Sequence, residues 1–189
     1  AVSAQEALDL ALNNAYLPNL PVIITIDDFG NNGAYSDIIN NIFPMAREFG
    51  FKFDAGIVPR PQKGYLPETK NGRNYSWEEL KRWTEEELIY PVSHTTWHAT
   101  LTTLNVEDLM YQLTYSRNII QDKTGVPVDV LVLPGGADNS RVLAAAQEAG
   151  YKTALDIGGP GGFYYGCNFK INRISPGIPL REFERQLLS

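Results

Sequence analysis

Short apolar runs alternate with helical patterns along this chain, and that alternation constrains its fold more than any other feature. Val22-Ile23-Ile24-Thr25-Ile26 is an unbroken, largely β-branched run, as expected of a strand covered on both faces. Residues 51–58, 89–92, 128–133 and 152–157 read the same way, with 171–174 as a last short strand. Helical stretches separate them. Residues 35–49 form one, broken at Pro44 and closed by Gly50. The capping box Ser76-Trp77-Glu78-Glu79 opens another, running to about Glu87. Asn105 caps a third, whose apolar positions Val106, Leu109, Met110, Leu113 and Ile120 recur at helical spacing, and residues 140–149 form a fourth, closed by Gly150. Parallel strands need crossovers of this kind, so the pattern implies an α/β fold with a largely parallel sheet or barrel. A helix over residues 2–16, stopped by Pro18 and Pro21, comes first. The expected organisation is therefore an N-terminal helix and linker over 1–20 and one domain over 21–189.

Composition narrows the function. With 189 residues and 43% hydrophobic content the chain is long enough for one well-buried domain. A net charge of -6 offers no footprint for nucleic acid and favours a neutral substrate. No run approaches the ~18 apolar residues of a membrane span. Cys167 is the only cysteine, so no internal disulfide forms. The chain opens at Ala1 without a basic and then apolar leader, which fits a cytosolic protein or a mature one with its signal removed.

The only two histidines, His94 and His98, stand four residues apart at the end of an expected strand. On a helical turn that spacing puts both imidazoles on one face. The strand at 22–26 delivers Asp27-Asp28 at its C-terminal end, where the sites of parallel sheets lie. Two imidazoles and a carboxylate make a three-ligand metal site with an open position for water. A second carboxylate, unligated, is what deprotonating that water requires. The pattern suits a metal-dependent hydrolase.

Taken together, these segments resemble the NodB-type polysaccharide deacetylases, carbohydrate esterase family 4. The family's Thr-Phe-Asp-Asp-Gly turn stands here as Thr25-Ile26-Asp27-Asp28-Phe29-Gly30, with one residue inserted. Its His-Ser/Thr-x-x-His motif is matched by His94-Thr95-Thr96-Trp97-His98, and its Pro-aromatic-Gly turn by Pro134-Gly135-Gly136. Gly150-Tyr151, Arg173-Ile174 and Leu180-x-x-Phe183 continue the likeness, which spans nearly the whole chain from Pro21. The resemblance implies a single-domain distorted (β/α) barrel. It implies Asp28, His94 and His98 as metal ligands, Asp27 as general base to a metal-bound water, and the Gly135 N–H as oxyanion donor. Zn²⁺ suits that ligand set, and Co²⁺, Ni²⁺ and Fe²⁺ accept it too. The implied partner is an N-acetylated glycan, with Trp97, Tyr65 and Tyr164 as stacking faces for its rings and Tyr165 as a further one. An extracellular, cell-surface or periplasmic location follows from that substrate, and the divergent features resemble enzymes of poly-N-acetylglucosamine.

Two departures matter. Many members carry an arginine that orients the base, where Val132 stands here. Others use a third histidine as general acid, and here 174–177 occupies its place, leaving water, Asp27 or another residue to protonate the leaving amine. A glycan-binding member without turnover, or an esterase of O-acetylated xylan, are the alternatives this leaves open. Asp156, at a strand end, is a candidate supporting partner of the site.

Overall fold

The computed structural model describes residues 1–13, 22–29, 34–59, 75–157, 169–174 and 181. Six strands form one sheet in the order of the chain: β1 (Thr25–Ile26), β2 (Phe53–Ile57), β3 (Ile89–Ser93), β4 (Val130–Val132), β5 (Thr153–Ile157) and β6 (Lys170–Arg173). Every neighbouring pair is parallel. The helices are α1 (Ala4–Leu12), α2 (Ala34–Asp37), α3 (Phe43–Phe49), α4 (Trp77–Glu85), α5 (Val106–Thr124) and α6 (Ser140–Glu148).

The unbroken apolar runs follow from two covered faces. Phe53, Ala55, Ile57, Ile89, Leu131, Leu133 and Ala154 point outward and pack with Leu80, Trp83, Leu109, Leu113, Ile120 and Val142 of the helices. The alternate positions Val92, Val130, Val132, Leu155 and Ile171 point inward and enclose Ala4 of α1. The first helix thus plugs the inner face of the sheet.

A flat sheet of six strands would hold its edges about 24 Å apart. Yet Arg173 Nη1 of β6 donates to Thr25 Oγ1 of β1 at 2.8 Å. The sheet therefore curls into a half-barrel with its two edge strands bridged by side chains, as the expected (β/α) barrel requires. Registry between β3 and β4 is short, with Ser93 opposite Leu131 as its one pair.

Pro44 does not end its helix. Residues Ile38–Ile42 form a π-helical segment between α2 and α3, and Phe43 N–H reaches back to the Ile38 carbonyl. The wider turn accommodates a residue that lacks the N–H for an ordinary α bond and whose ring collides with the carbonyl four residues back. Strand β1 is shorter than the apolar run 22–26, although the Ile24 carbonyl still accepts from Asp54 N–H at 2.8 Å. No helix among the described residues is long and apolar enough to cross a membrane.

Candidate active site

The C-terminal ends of β1 and β3 bring Asp28, His94 and His98 together, with their ligand atoms all within 4.8 Å of one another. His98 Nε2 lies 3.7 Å from Asp28 Oδ2. Donors around a four-coordinate ion with bonds near 2.1 Å are about 3.4 Å apart, so small side-chain movements complete a cation site. The two imidazoles meet edge to face with ring centroids 4.8 Å apart.

Each of the three side chains is held differently. His94 is 1% exposed, and its Nδ1 lies 2.9 Å from the Val132 carbonyl. A carbonyl only accepts, so Nδ1 carries the proton and Nε2 keeps its lone pair for a metal. Burial lowers the His94 pKa against the opposing pull of Asp27, the Val132 carbonyl and Asp28, which keeps the ring neutral. Val132, occupying the place of the family's orienting arginine, thus orients a histidine through its backbone. His98 and Asp28 are open to solvent, with 43% and 44% of their side-chain surface exposed.

The histidine segment is not a helical turn. His94 extends β3, its N–H bonding the Ile57 carbonyl, and Thr95 (φ 66°) and His98 (φ 56°) both adopt left-handed backbone. Asp28 (φ 48°) does as well. Of the four described non-glycine residues at positive φ, only Glu87 lies away from the site. Such conformations cost about 1–3 kcal/mol each and persist only where neighbours enforce them. Beside Asp28 the anchor is Phe29, 2% exposed, packed against Phe53, Tyr75 and Trp83, with its N–H on the Gly56 carbonyl. The residue inserted into the family's aspartate turn is therefore a core aromatic.

Asp27 faces the same space and is gripped from the far edge of the sheet. Arg173 Nη1 and Nη2 donate to its Oδ1 and Oδ2 at 2.6 and 2.8 Å. Arg173 Nε donates in turn to the Asp156 carbonyl at 3.0 Å. Burial pushes the Asp27 carboxyl up, but the hydrogen bonds and charge of Arg173, helped by His94 and His98, leave it below the usual range. Arg173 of β6, and not the residue at position 132, thus orients Asp27. Gly56 belongs to none of the sequence motifs, yet it borders the site. A Cβ there would lie 3.2 Å from Asp27 Cα and 3.3 Å from the Ile26 carbonyl oxygen, so the missing side chain lets the end of β1 lie close against β2. A glycine inside a strand is the signal that marks such a place.

The turn Pro134–Gly136 follows β4. Gly135 (φ 60°) and Gly136 (φ 64°) are both left-handed, and a Cβ on Gly136 would lie 2.6 Å from Asp156 Oδ1. The Asp156 carboxylate accepts Lys170 Nζ at 2.9 Å, and Lys170 also pairs with Asp138 at 3.3 Å. Asp156 therefore holds Arg173 through its carbonyl and lies close against Gly136 of this turn. Trp97 is half-buried, its ring 5.3 Å from Tyr111 of α5. Tyr65, Tyr164, Tyr165, Cys167 and the Leu180-x-x-Phe183 segment lie outside the described residues, save Arg181.

The family model described as polysaccharide deacetylase matches residues 17–154. No curated protein matches by sequence. A de-N-acetylase from Aggregatibacter actinomycetemcomitans superposes with a TM-score of 0.78 at 18% identity, covering 98% of this chain and 82% of that one. The deacetylase PplD of Streptococcus pyogenes, solved with acetate, gives 0.77 at 19% identity over 98% and 78%. The deacetylase domain of BpsB from Bordetella bronchiseptica gives 0.71 at 19% over 91% and 77%. At these identities the likeness concerns the fold.

Proposed function

The chain belongs to the polysaccharide deacetylase family and is a hydrolase of that kind, and on that premise we propose that it removes N-acetyl groups from an N-acetylated glycan with the help of a divalent cation. The observation that carries the reading is the meeting of Asp28, His94 and His98 within 4.8 Å, beside an Asp27 held ionised by Arg173.

Asp28, His94 and His98 would hold the cation, most simply Zn²⁺, and when bound it supplies Lewis acidity to the attacking water and to the acetamide carbonyl. Asp27 takes the proton of that water on a carboxylate oxygen. Arg173 donates to both oxygens, and each keeps a further lone pair for this task. The Gly135 N–H supports the developing oxyanion. Breaking the C–N bond releases acetate and an amine that needs a proton. With both histidines of the chain assigned to the cation, Asp27 returns the proton it collected. Trp97, next to His98, supplies an apolar wall for the sugar, and Tyr65 and Tyr164 are assigned the same task on sequence grounds. A polymeric glycan substrate favours a location outside the cytoplasm.

The test is acetate release from β-1,4- and β-1,6-linked N-acetylglucosamine oligomers, with an O-acetylated xylan in parallel. Release from the amide substrates, lost on chelation and restored by Zn²⁺, is the expected outcome. No release from any of them, with metal occupancy verified, overturns the proposal. Release from the ester alone reassigns the enzyme to O-deacetylation.

A further inference from the structure

Two ligands of the candidate cation site lie on one five-residue turn, and they are secured very unequally. His94 is buried and its ring is fixed by the Val132 carbonyl. His98 is exposed, so its position depends on the backbone leading to it. That backbone runs through left-handed Thr95 and arrives at left-handed His98, a path that relaxes unless it is held.

The Thr95 N–H bonds Ser93 Oγ at 3.3 Å and Thr96 Oγ1 lies 3.3 Å from the Tyr111 carbonyl, but the one side chain of α5 that reaches this stretch of backbone is that of Gln112. Gln112 is fully buried. Its side-chain Oε1 accepts the Trp97 N–H at 3.1 Å, and its backbone carbonyl accepts Thr96 Oγ1 at 2.9 Å. Both residues between the two left-handed positions are thereby tied to Gln112. Its Nε2 is buried without a hydrogen-bond partner among the described residues. A buried amide that uses only its oxygen is a poor way to fill a core, which methionine or leucine would fill without an unpaired donor. The use of this residue lies in the acceptor it presents to Trp97.

We propose that Gln112 is a positioning residue for the cation site, setting the place of His98 through the Trp97 N–H. The inference rests on Asp28, His94 and His98 being the ligands. Groups hydrogen-bonded to a metal's ligands commonly carry a 10- to 100-fold effect on its affinity; Gln112 bonds the residue next to His98, and an effect within that range is expected here.

The experiment measures Co²⁺ affinity by chelator competition, together with the visible spectrum of the Co²⁺ protein. Wild type is compared with Gln112→Met, which fills the space without an acceptor, and Gln112→Glu, which restores an oxygen to Trp97. Thr124→Val, which removes a buried hydroxyl bond to the Ile120 carbonyl farther along α5, controls for loss of stability alone. Gln112→Met should weaken Co²⁺ binding about 10- to 100-fold and alter the spectrum, while Gln112→Glu recovers most of the affinity and Thr124→Val leaves it unchanged. If Gln112→Met does not fold, Gln112→Asn, one methylene too short to reach Trp97, should show the same loss. Equal affinity and an identical spectrum in the methionine or asparagine variant overturn the positioning role. Failure of wild type itself to bind Co²⁺ overturns the ligand assignment and the inference with it.

Discussion

Two aspartates on neighbouring strands of the half-barrel face the same interior and end in opposite states. Asp27 ends β1 and Asp54 lies within β2, opposite Thr25. Burial raises both, yet Asp27 sits below the usual carboxylate range while Asp54 is pushed up to about 8. Asp54 is fully buried while a third of the Asp27 side chain is exposed, and only Asp27 has a cation at contact distance. Arg173 grips both oxygens of Asp27, whereas at Asp54 it acts only through space, and the hydrogen bonds there come from the Ala4 N–H at the start of α1. One end of the interior keeps a charge for chemistry. The other tolerates a neutral carboxyl as part of its plug.

The largest expected effect comes from removing the charged member. Asp27→Asn should lower kcat about 10²- to 10⁴-fold while Co²⁺ still binds. Activity within tenfold of wild type would show that Asp27 is not the base. Next is the cation that separates the two aspartates. Arg173→Met leaves burial at Asp27 less opposed, so its pKa rises and the acid limb of kcat/KM moves to higher pH, with kcat down about 10- to 100-fold. Arg173→Lys should recover little, because a point charge does not reproduce the two-pronged contact. An unmoved acid limb would break the comparison. A smaller change is Gly56→Ala, whose Cβ must displace the backbone of Asp27 and the Ile26 carbonyl by a few tenths of an ångström. A loss in kcat of about three- to tenfold with unchanged KM is expected from that misplacement.

Much of this was legible in the residues. The alternation of strands and helices, the delivery of Asp27-Asp28 at the end of β1 and the pairing of His94 with His98 all follow from patterns within a few residues. The spacing of the two histidines suggests a helical turn, yet left-handed turn residues bring the rings together. Arg173 was not legible as the partner of the base. It lies 146 residues from Asp27 in the chain, and only the curl of the sheet, a property of all six strands, carries β6 to β1. The family pattern pointed instead to Val132, whose useful atom is its carbonyl. A backbone atom leaves no trace in residue identity.

The smallest effect on activity, and the clearest on stability, belongs to Asp54. Burial drives its pKa up and Glu6 adds to this, while the Ala4 N–H, Arg173 and Lys52 pull it down without prevailing. The folded protein therefore holds the Asp54 proton more tightly than the unfolded chain does. Its contribution to stability is fully present below the ordinary carboxylate pKa near 3.8 and is lost as pH rises toward about 8. Asp27, Glu6 and Asp129, whose values are lowered, act in the other direction and at more acid pH, so the two windows separate. Asp54→Asn keeps an oxygen for the Ala4 N–H and cannot ionise. It should leave kcat within about twofold and flatten the fall in Tm between pH 5 and 8, so that the variant gains on wild type at the upper end. Melting curves at the two pH values decide the matter. An equal fall in both proteins would mean that Asp54 is ionised in the fold and that α1 is docked onto a charge.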